Sequence, residues 1–129
     1  MTHRRHPERD EQANIVQLLR TLGAQVWTLG TTRKRGDWQG TRMSPGLPDV
    51  LAFLPNPYGG TEKALLVIEA KAPGGRLRPE QAQFRCCCAD ANVAHVWGGL
   101  DDVTAWLLER GYLQRDQIAH DRLPKEARA

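Results

Sequence analysis

Three charged residues at the ends of two apolar segments could carry out chemistry together, because of their types and their spacing. Asp49 follows the turn-forming run 46–48 and precedes an apolar stretch, whereas Glu69 and Lys71 close the apolar run 64–68. An unpaired charge is costly to bury, so charged side chains at the ends of core strands need partners. Carboxylates are hard oxygen ligands for Mg²⁺ or Mn²⁺, and a lysine can offset negative charge on a reacting oxyanion. The pattern therefore indicates a divalent-metal site that acts on an oxyanion.

The apolar pattern predicts the elements that must position these side chains. Apolar residues recur at helical spacing near the N-terminus, where Pro7 suits a first turn and Gly23 suits a helix end. Helices are predicted over about residues 8–22 and 79–91, and from Asp101 or Asp102, either of which could be the cap. Strands are predicted over residues 24–29, 50–54, 64–70 and 93–97. A polar, glycine-rich segment over residues 30–46 is expected to be a long loop or an irregular hairpin.

The connections between these strands predict their directions. The third and fourth strands are joined across a helix, which favours a parallel pair with a right-handed crossover. The shorter connection between the second and third strands favours an antiparallel pair. The run 64–70 is apolar on both faces, which is typical of a central strand. The expected fold class is α/β, a mixed central sheet flanked by helices in the order α-β-β-β-α-β-α.

This topology predicts how the charged residues meet. Side chains alternate along a strand, so Glu69 and Lys71 should emerge on one face. Antiparallel pairing would bring Asp49, at the start of one strand, beside Glu69, near the end of the next. Asp49, Glu69 and the backbone carbonyl of Ala70 could then hold Mg²⁺ or Mn²⁺ for hydrolysis of a phosphodiester. Lys71 could orient the attacking water or offset developing negative charge.

The amino-acid sequence around these residues resembles that of a known nuclease group. Asp49, followed about twenty residues later by Glu69-Ala70-Lys71, is similar to the PD-(D/E)xK nuclease superfamily. The runs 44–49, 68–71 and 75–81, in that order, resemble the VRR-NUC (virus-type replication-repair nuclease) family. The resemblance covers about residues 8–108 and leaves 109–129 as a C-terminal extension of one domain spanning 1–129. It implies a restriction-endonuclease-like core.

The resemblance also implies roles for individual residues. Asp49 and Glu69 match the metal-binding acids, and Lys71 matches the catalytic lysine. Gln81 matches a glutamine near the metal centre, and Glu8 matches an acid on the first helix. Small stand-alone members, often phage-encoded, are similar to Holliday-junction resolvases that act as homodimers. The alternative first-helix acid is Glu11, which lies about one helical turn from Glu8 on nearly the same face.

Each of these features also has a simpler interpretation. A Glu-x-Lys pair is common at strand ends, and acids in a first helical turn can simply complement the helix dipole. His95, in an apolar strand, is expected to be a hydrogen-bonded core histidine, and Trp97 and Trp106 to be core aromatics. Basic side chains can be solvated surface charges or contact DNA phosphates. The candidate DNA-binding residues are Arg33, Lys34, Arg35, Arg42, Arg76 and Arg78.

Composition limits the classes of protein to consider. The chain has 129 residues, a formal charge of +3 and a pI near 9.0, which fits one domain with a slight preference for polyanionic partners. No apolar run approaches the ~20 residues needed to span a membrane. The basic N-terminal run lacks a following apolar segment, so no secretory signal is expected. The predicted compartment is the cytoplasm of a bacterial or phage-infected host cell, which suits three consecutive cysteines with no disulfide framework.

The sequence therefore predicts a Mg²⁺- or Mn²⁺-dependent DNA endonuclease. The resemblance implies a structure-selective enzyme that acts as a homodimer on branched DNA. One alternative is a nicking or flap-type nuclease module. Another is a non-catalytic DNA-binding subunit built on the same scaffold.

Overall fold

The computed structural model describes residues 7–29 and 44–117, and within these ranges the helices and strands follow the predicted order. Their predicted limits agree with the observed ones to within about two residues. A 3₁₀ turn, Arg115–Gln117, follows the last helix. In chain order the elements are α1 (Pro7–Thr21), β1 (Gln25–Thr28), β2 (Val50–Leu54), β3 (Ala64–Ala70), α2 (Pro79–Asp90), β4 (Ala94–Gly98) and α3 (Leu100–Glu109).

The strands form one mixed sheet in the order β1-β2-β3-β4. β2 runs antiparallel to both β1 and β3, with Val50 opposite Ile68. β4 runs parallel to β3, with Trp97 beside Glu69. The predicted antiparallel and parallel pairs are both confirmed, and β3 lies inside the sheet with a neighbour on each side. The chain is an α/β protein, as expected.

The helices pack on opposite faces of this sheet. Ile68 and Ala70 of β3 belong to the hydrophobic core together with Ile15 and Leu19 of α1 and Val103 of α3. Because side chains alternate along a strand, the other face of β3 presents Val67 and Glu69. α2 contacts that second face, since its side chains bond residues of β3 and β4 there. Burial of each large apolar side chain in the core contributes about 1.5–3 kcal/mol.

The start of α3 differs from the sequence prediction. The N-cap is Gly99, so the expectation that Asp101 or Asp102 occupies that position is wrong. Asp102 instead lies inside the first turn, where its Oδ2 accepts a hydrogen bond of 2.9 Å from the Gly99 N–H. Glu11 Oε2 accepts a bond of 2.7 Å from the Leu100 N–H. Two carboxylates therefore satisfy amides that a helix start otherwise leaves without partners.

The aromatic residues and the histidine of the last two elements divide between core and surface. Trp106 packs on the core and stacks on Tyr112, as expected. Trp97 is 38% exposed, so the prediction that it is a core aromatic is wrong. The Nδ1 of His95 lies 3.0 Å from Arg85 Nη1, so the predicted hydrogen bond is confirmed, but the residue is partly buried and is not in the core.

Two further features of the described residues concern cysteines and membranes. Cys86, Cys87 and Cys88 are free thiols, and Cys88 is the buried one. Burial raises the pKa of the Cys88 thiol above its ordinary value, and the neighbouring Cys87 contributes less. None of the helices in residues 7–29 and 44–117 combines the length and apolar character needed to cross a membrane.

Candidate metal and catalytic site

Asp49 is held at the end of the sheet by both its backbone and its side chain. Its N–H donates to the Ile68 carbonyl at 3.1 Å, and its carbonyl accepts from the Leu29 N–H at 2.8 Å. Its Oδ2 accepts a 2.9 Å hydrogen bond from the Ala70 N–H, across the β2–β3 pair. These contacts extend the antiparallel ladder by one residue. They bring the Asp49 carboxylate to the neighbourhood of Glu69, as the strand arrangement predicted.

Gln81 connects the first turn of α2 to Glu69. Pro79 suits the first position of the helix, and the Arg78 N–H donates to Gln81 Oε1 at 2.8 Å. Gln81 Nε2 donates to Glu69 Oε1 at 2.7 Å. The two bonds require the same orientation of the amide, so they determine it together. Gln81 thus serves as a helix cap and as a support for the Glu69 carboxylate.

Glu69 is a buried acid in an unfavourable position for a negative charge. Its residue is 2% exposed, and within the described part of the chain its Oε2 is buried without a hydrogen-bond partner. Burial first, and then the Asp49 carboxylate, raise its pKa from 4.5 to about 8, although Lys71 opposes the shift. Without a cation, Glu69 is therefore largely protonated at neutral pH. A divalent cation between the two carboxylates would replace the proton.

Lys71 extends β3 by one residue and meets α1. Its N–H donates to the Gly98 carbonyl at 2.9 Å, which continues the parallel ladder. The residue is 7% exposed, and its Nζ lies 3.5 Å from Glu8 Oε1. Glu11, the alternative first-helix acid, is instead bonded to the Leu100 N–H. The contacts thus separate the two acids, with Glu8 beside Lys71, although a metal role for either acid stays a prediction.

The turn over residues 44–49 packs directly on the start of α2. Gly46 has a φ of +88°, and a Cβ at this position would lie 2.7 Å from the Glu80 carbonyl carbon. Only glycine fits such a close approach with this backbone conformation. A cavity of about 410 Å³ opens between the turn and α2. Its charged and amide side chains are Asp49, Glu69, Arg78, Glu80 and Gln81.

A second cavity, of about 960 Å³, opens on the other side of the end of β3. Lys71 and Arg76 line it, and so does Trp97. Sequence reasoning missed Trp97 as a residue of the site. The available signal was the parallel pairing of β3 with β4, because the observed register puts Trp97 directly beside Glu69.

The donor set can be tested against the metal that the motif implies. Among residues 7–29 and 44–117, no group of three or more histidine, cysteine, aspartate or glutamate side chains forms a metal cluster. Two carboxylates are nevertheless enough for Mg²⁺, which keeps several waters and is usually bound by one or two carboxylates together with substrate phosphates. Asp49 and Glu69, with the unpartnered Oε2 of Glu69, fit that pattern. The Ala70 N–H contacts Asp49, whereas coordination by the Ala70 carbonyl stays a prediction.

The candidate DNA-binding residues fall into two groups. Arg76 and Arg78 are exposed, and each lines one of the two cavities. The four others lie outside the described residues: Arg33, Lys34, Arg35 and Arg42.

Comparison with models of protein families, with curated proteins and with solved structures found no significant match for this chain. The nuclease resemblance thus stays a prediction from the sequence motifs. The contacts of Asp49, Glu69, Gln81 and Lys71 are therefore the structural basis for a proposed function.

Proposed function

We propose that this protein is a Mg²⁺- or Mn²⁺-dependent endodeoxyribonuclease with a restriction-endonuclease-like core of the VRR-NUC type. The observation that carries the proposal is the pair formed by the partly buried Asp49 and the buried Glu69, beside the buried Lys71. Within the described residues, one carboxylate oxygen of Glu69 has no hydrogen-bond partner. A core does not keep two acids and a lysine at one edge for stability, since apolar residues of similar size would usually serve as well. Metal-assisted hydrolysis uses all three.

Each side chain has a distinct task in this proposal. Asp49 and Glu69 would hold the cation, which supplies an acidified water and offsets charge on the phosphodiester. Lys71, which is buried and whose backbone N–H bonds the Gly98 carbonyl, directs its ammonium group toward developing negative charge. Gln81 keeps the Glu69 carboxylate in place through its 2.7 Å bond. Glu8 is the counter-ion that holds the Lys71 ammonium at the end of the strand.

The substrate in this proposal is DNA, and specifically branched DNA. The net charge of +3 and the exposed Arg76 and Arg78 beside the cavities favour a polyanion. Branched DNA requires two symmetrically placed cuts, and a two-fold homodimer supplies two sites with matching geometry. Junction selectivity, the homodimer and action in the cytoplasm of a bacterial or phage-infected cell rest on the motif resemblance.

A panel of labelled substrates tests this proposal. A four-way junction, a flap and a linear duplex would each be incubated with the protein and Mg²⁺ or Mn²⁺. The wild type should cut the junction, and Asp49→Asn or Lys71→Met should reduce the rate about 100-fold or more. Asn keeps an acceptor for the Ala70 N–H, so the first variant removes charge with little change in packing.

Matched controls separate chemistry from folding. Asp90 and Lys63 are exposed, and neither lines the two cavities beside the site, so Asp90→Asn and Lys63→Met should retain wild-type rates. Cleavage without metal, or cleavage unaffected by the Asp49 and Lys71 substitutions, would contradict the mechanism. Equal cutting of all three substrates would remove junction selectivity and retain the nuclease.

A further inference from the structure

The cavity of about 960 Å³ beside Lys71 has an exposed aromatic wall that the hydrolysis itself does not use. The parallel register aligns Trp97 with Glu69, and 38% of Trp97 is exposed. The cavity volume lies in the range of ~300–1,000 Å³ that is typical of small-ligand sites. A flat aromatic surface thus stands directly beside the proposed cleavage site.

The charges of this cavity are arranged on two walls. Lys71 and Arg76 follow β3, whereas Glu11, Asp101 and Asp102 line the side formed by α1 and α3. Glu11 accepts a hydrogen bond from the first residue of α3, and Asp102 accepts one from its N-cap residue. The helix start therefore does not offer these amides to a phosphate, and its carboxylates repel one. That wall suits an uncharged group with N–H donors, such as the exocyclic amino group of a nucleobase.

We propose that this cavity binds one unpaired nucleobase of the DNA strand, stacked on Trp97, with the adjoining phosphate next to Lys71 and Arg76. The choice of ligand rests on the proposed nuclease function. A base inside a continuous duplex is paired and stacked, so it is not available to Trp97. The substrate class is therefore DNA with unpaired nucleotides beside the cut, as at a flap, a gap or an opened junction. Aromatic side chains bind single strands in this way, since every base has a face to stack.

The test measures binding without cleavage. A short single-stranded DNA that contains one fluorescent adenine analogue, and the same strand in a full duplex, are titrated with protein in EDTA. Stacking on Trp97 should quench the analogue in the single strand and leave it unchanged in the duplex. Trp97→Ala should weaken single-strand binding about tenfold or more, and Trp97→Phe should retain most of the affinity and the quenching.

Trp27→Ala is the matched control, because Trp27 is 52% exposed and lies on the edge strand β1, away from the cavity lining. It should bind like the wild type, and circular dichroism checks that each variant folds. Equal affinity losses in the Trp97→Ala and Trp27→Ala variants, or equal quenching in duplex and single strand, would overturn the proposal. So would Trp97→Phe binding as weakly as Trp97→Ala.

Together with the cleavage panel described above, this titration distinguishes the base cavity from the proposed nuclease function. Trp97-dependent binding by a wild-type protein that cuts no substrate would support the base cavity and contradict the nuclease. Cleavage that depends on Asp49, combined with single-strand affinity that is the same in the wild type and Trp97→Ala, would support the nuclease and overturn the base cavity.

Discussion

Glu69→Gln should stabilise the metal-free protein at pH 8 while removing its proposed activity. The substitution is nearly isosteric. Its carbonyl oxygen can still accept the hydrogen bond from Gln81 Nε2, and its NH₂ group takes the place of the protonated oxygen of Glu69. What changes is the charge, because a glutamine never ionises. The variant therefore isolates the energetic consequence of a carboxylate buried beside another carboxylate.

The size of the effect follows from two pKa values. The pKa of Glu69 is raised from 4.5 to about 8, so its stabilising contribution is complete below pH 4.5 and is lost as the pH rises to 8. The pKa of His95 is lowered from 6.5 to about 4 by burial and then by Arg85, so its contribution is lost as the pH falls below 6.5. Among the groups with shifted pKa values in residues 7–29 and 44–117, Glu69 alone accounts for the change between pH 6.5 and 8. At about 1.4 kcal/mol per pH unit, the wild type should lose about 2 kcal/mol over this interval.

Urea denaturation in EDTA at pH 6.5 and pH 8 measures this difference. The wild type should be less stable at pH 8, and Glu69→Gln should show little change between the two. His95→Gln serves as a control that alters the profile below pH 6.5 and leaves the upper interval as in the wild type. A wild-type stability that stays constant or rises from pH 6.5 to 8, or a Glu69→Gln variant with the wild-type slope, would refute the reasoning.

Four further changes test other parts of the account. Glu11→Ala should lower the free energy of unfolding by about 1–2 kcal/mol, because it removes the acceptor for the Leu100 N–H. Glu8→Gln should change the free energy of unfolding little, since exposed ion pairs contribute little stability, but it should slow cleavage because it removes the counter-ion of Lys71. Urea denaturation and a cleavage assay measure the two effects. A large loss of stability in Glu8→Gln, or none in Glu11→Ala, would contradict these roles. Gly46→Ala should destabilise by about 1 kcal/mol or more through its positive φ and its collision with α2, and a wild-type melting temperature would contradict this. Alanines at residues 33–35 should weaken DNA binding and flatten its salt dependence, whereas unchanged affinity and slope would indicate a solvated loop.

Local sequence features accounted for the sheet around the site. The run 64–70 is continuously apolar and bounded by turn-forming residues, which explains why its limits could be predicted. The helix between β3 and β4 dictated a parallel pair, and the shorter link between β2 and β3 an antiparallel one. Those two pairings suffice to predict that Asp49 approaches Glu69.

Features that depend on packing between distant elements could not be predicted. Glu8 and Glu11 are almost equivalent within their helix, and what separates them is the residue opposite each one: Lys71 for Glu8 and Leu100 for Glu11. The residues that precede Trp97 in the sequence are those of an apolar strand, so the sequence predicted a core position for it. The folded chain leaves this residue 38% exposed, where it lines the cavity beside Lys71.

The most direct test of the central claim is Mn²⁺-dependent cleavage of one labelled four-way junction by the wild type and Asp49→Asn at equal concentrations of folded protein. The account predicts cleavage by the wild type that stops when EDTA is added, and a rate that is reduced about 100-fold or more in the variant. Equal rates for the two proteins, or no cleavage by a folded wild type at any Mn²⁺ concentration, would contradict the claim that Asp49 and Glu69 form a metal-dependent nuclease site.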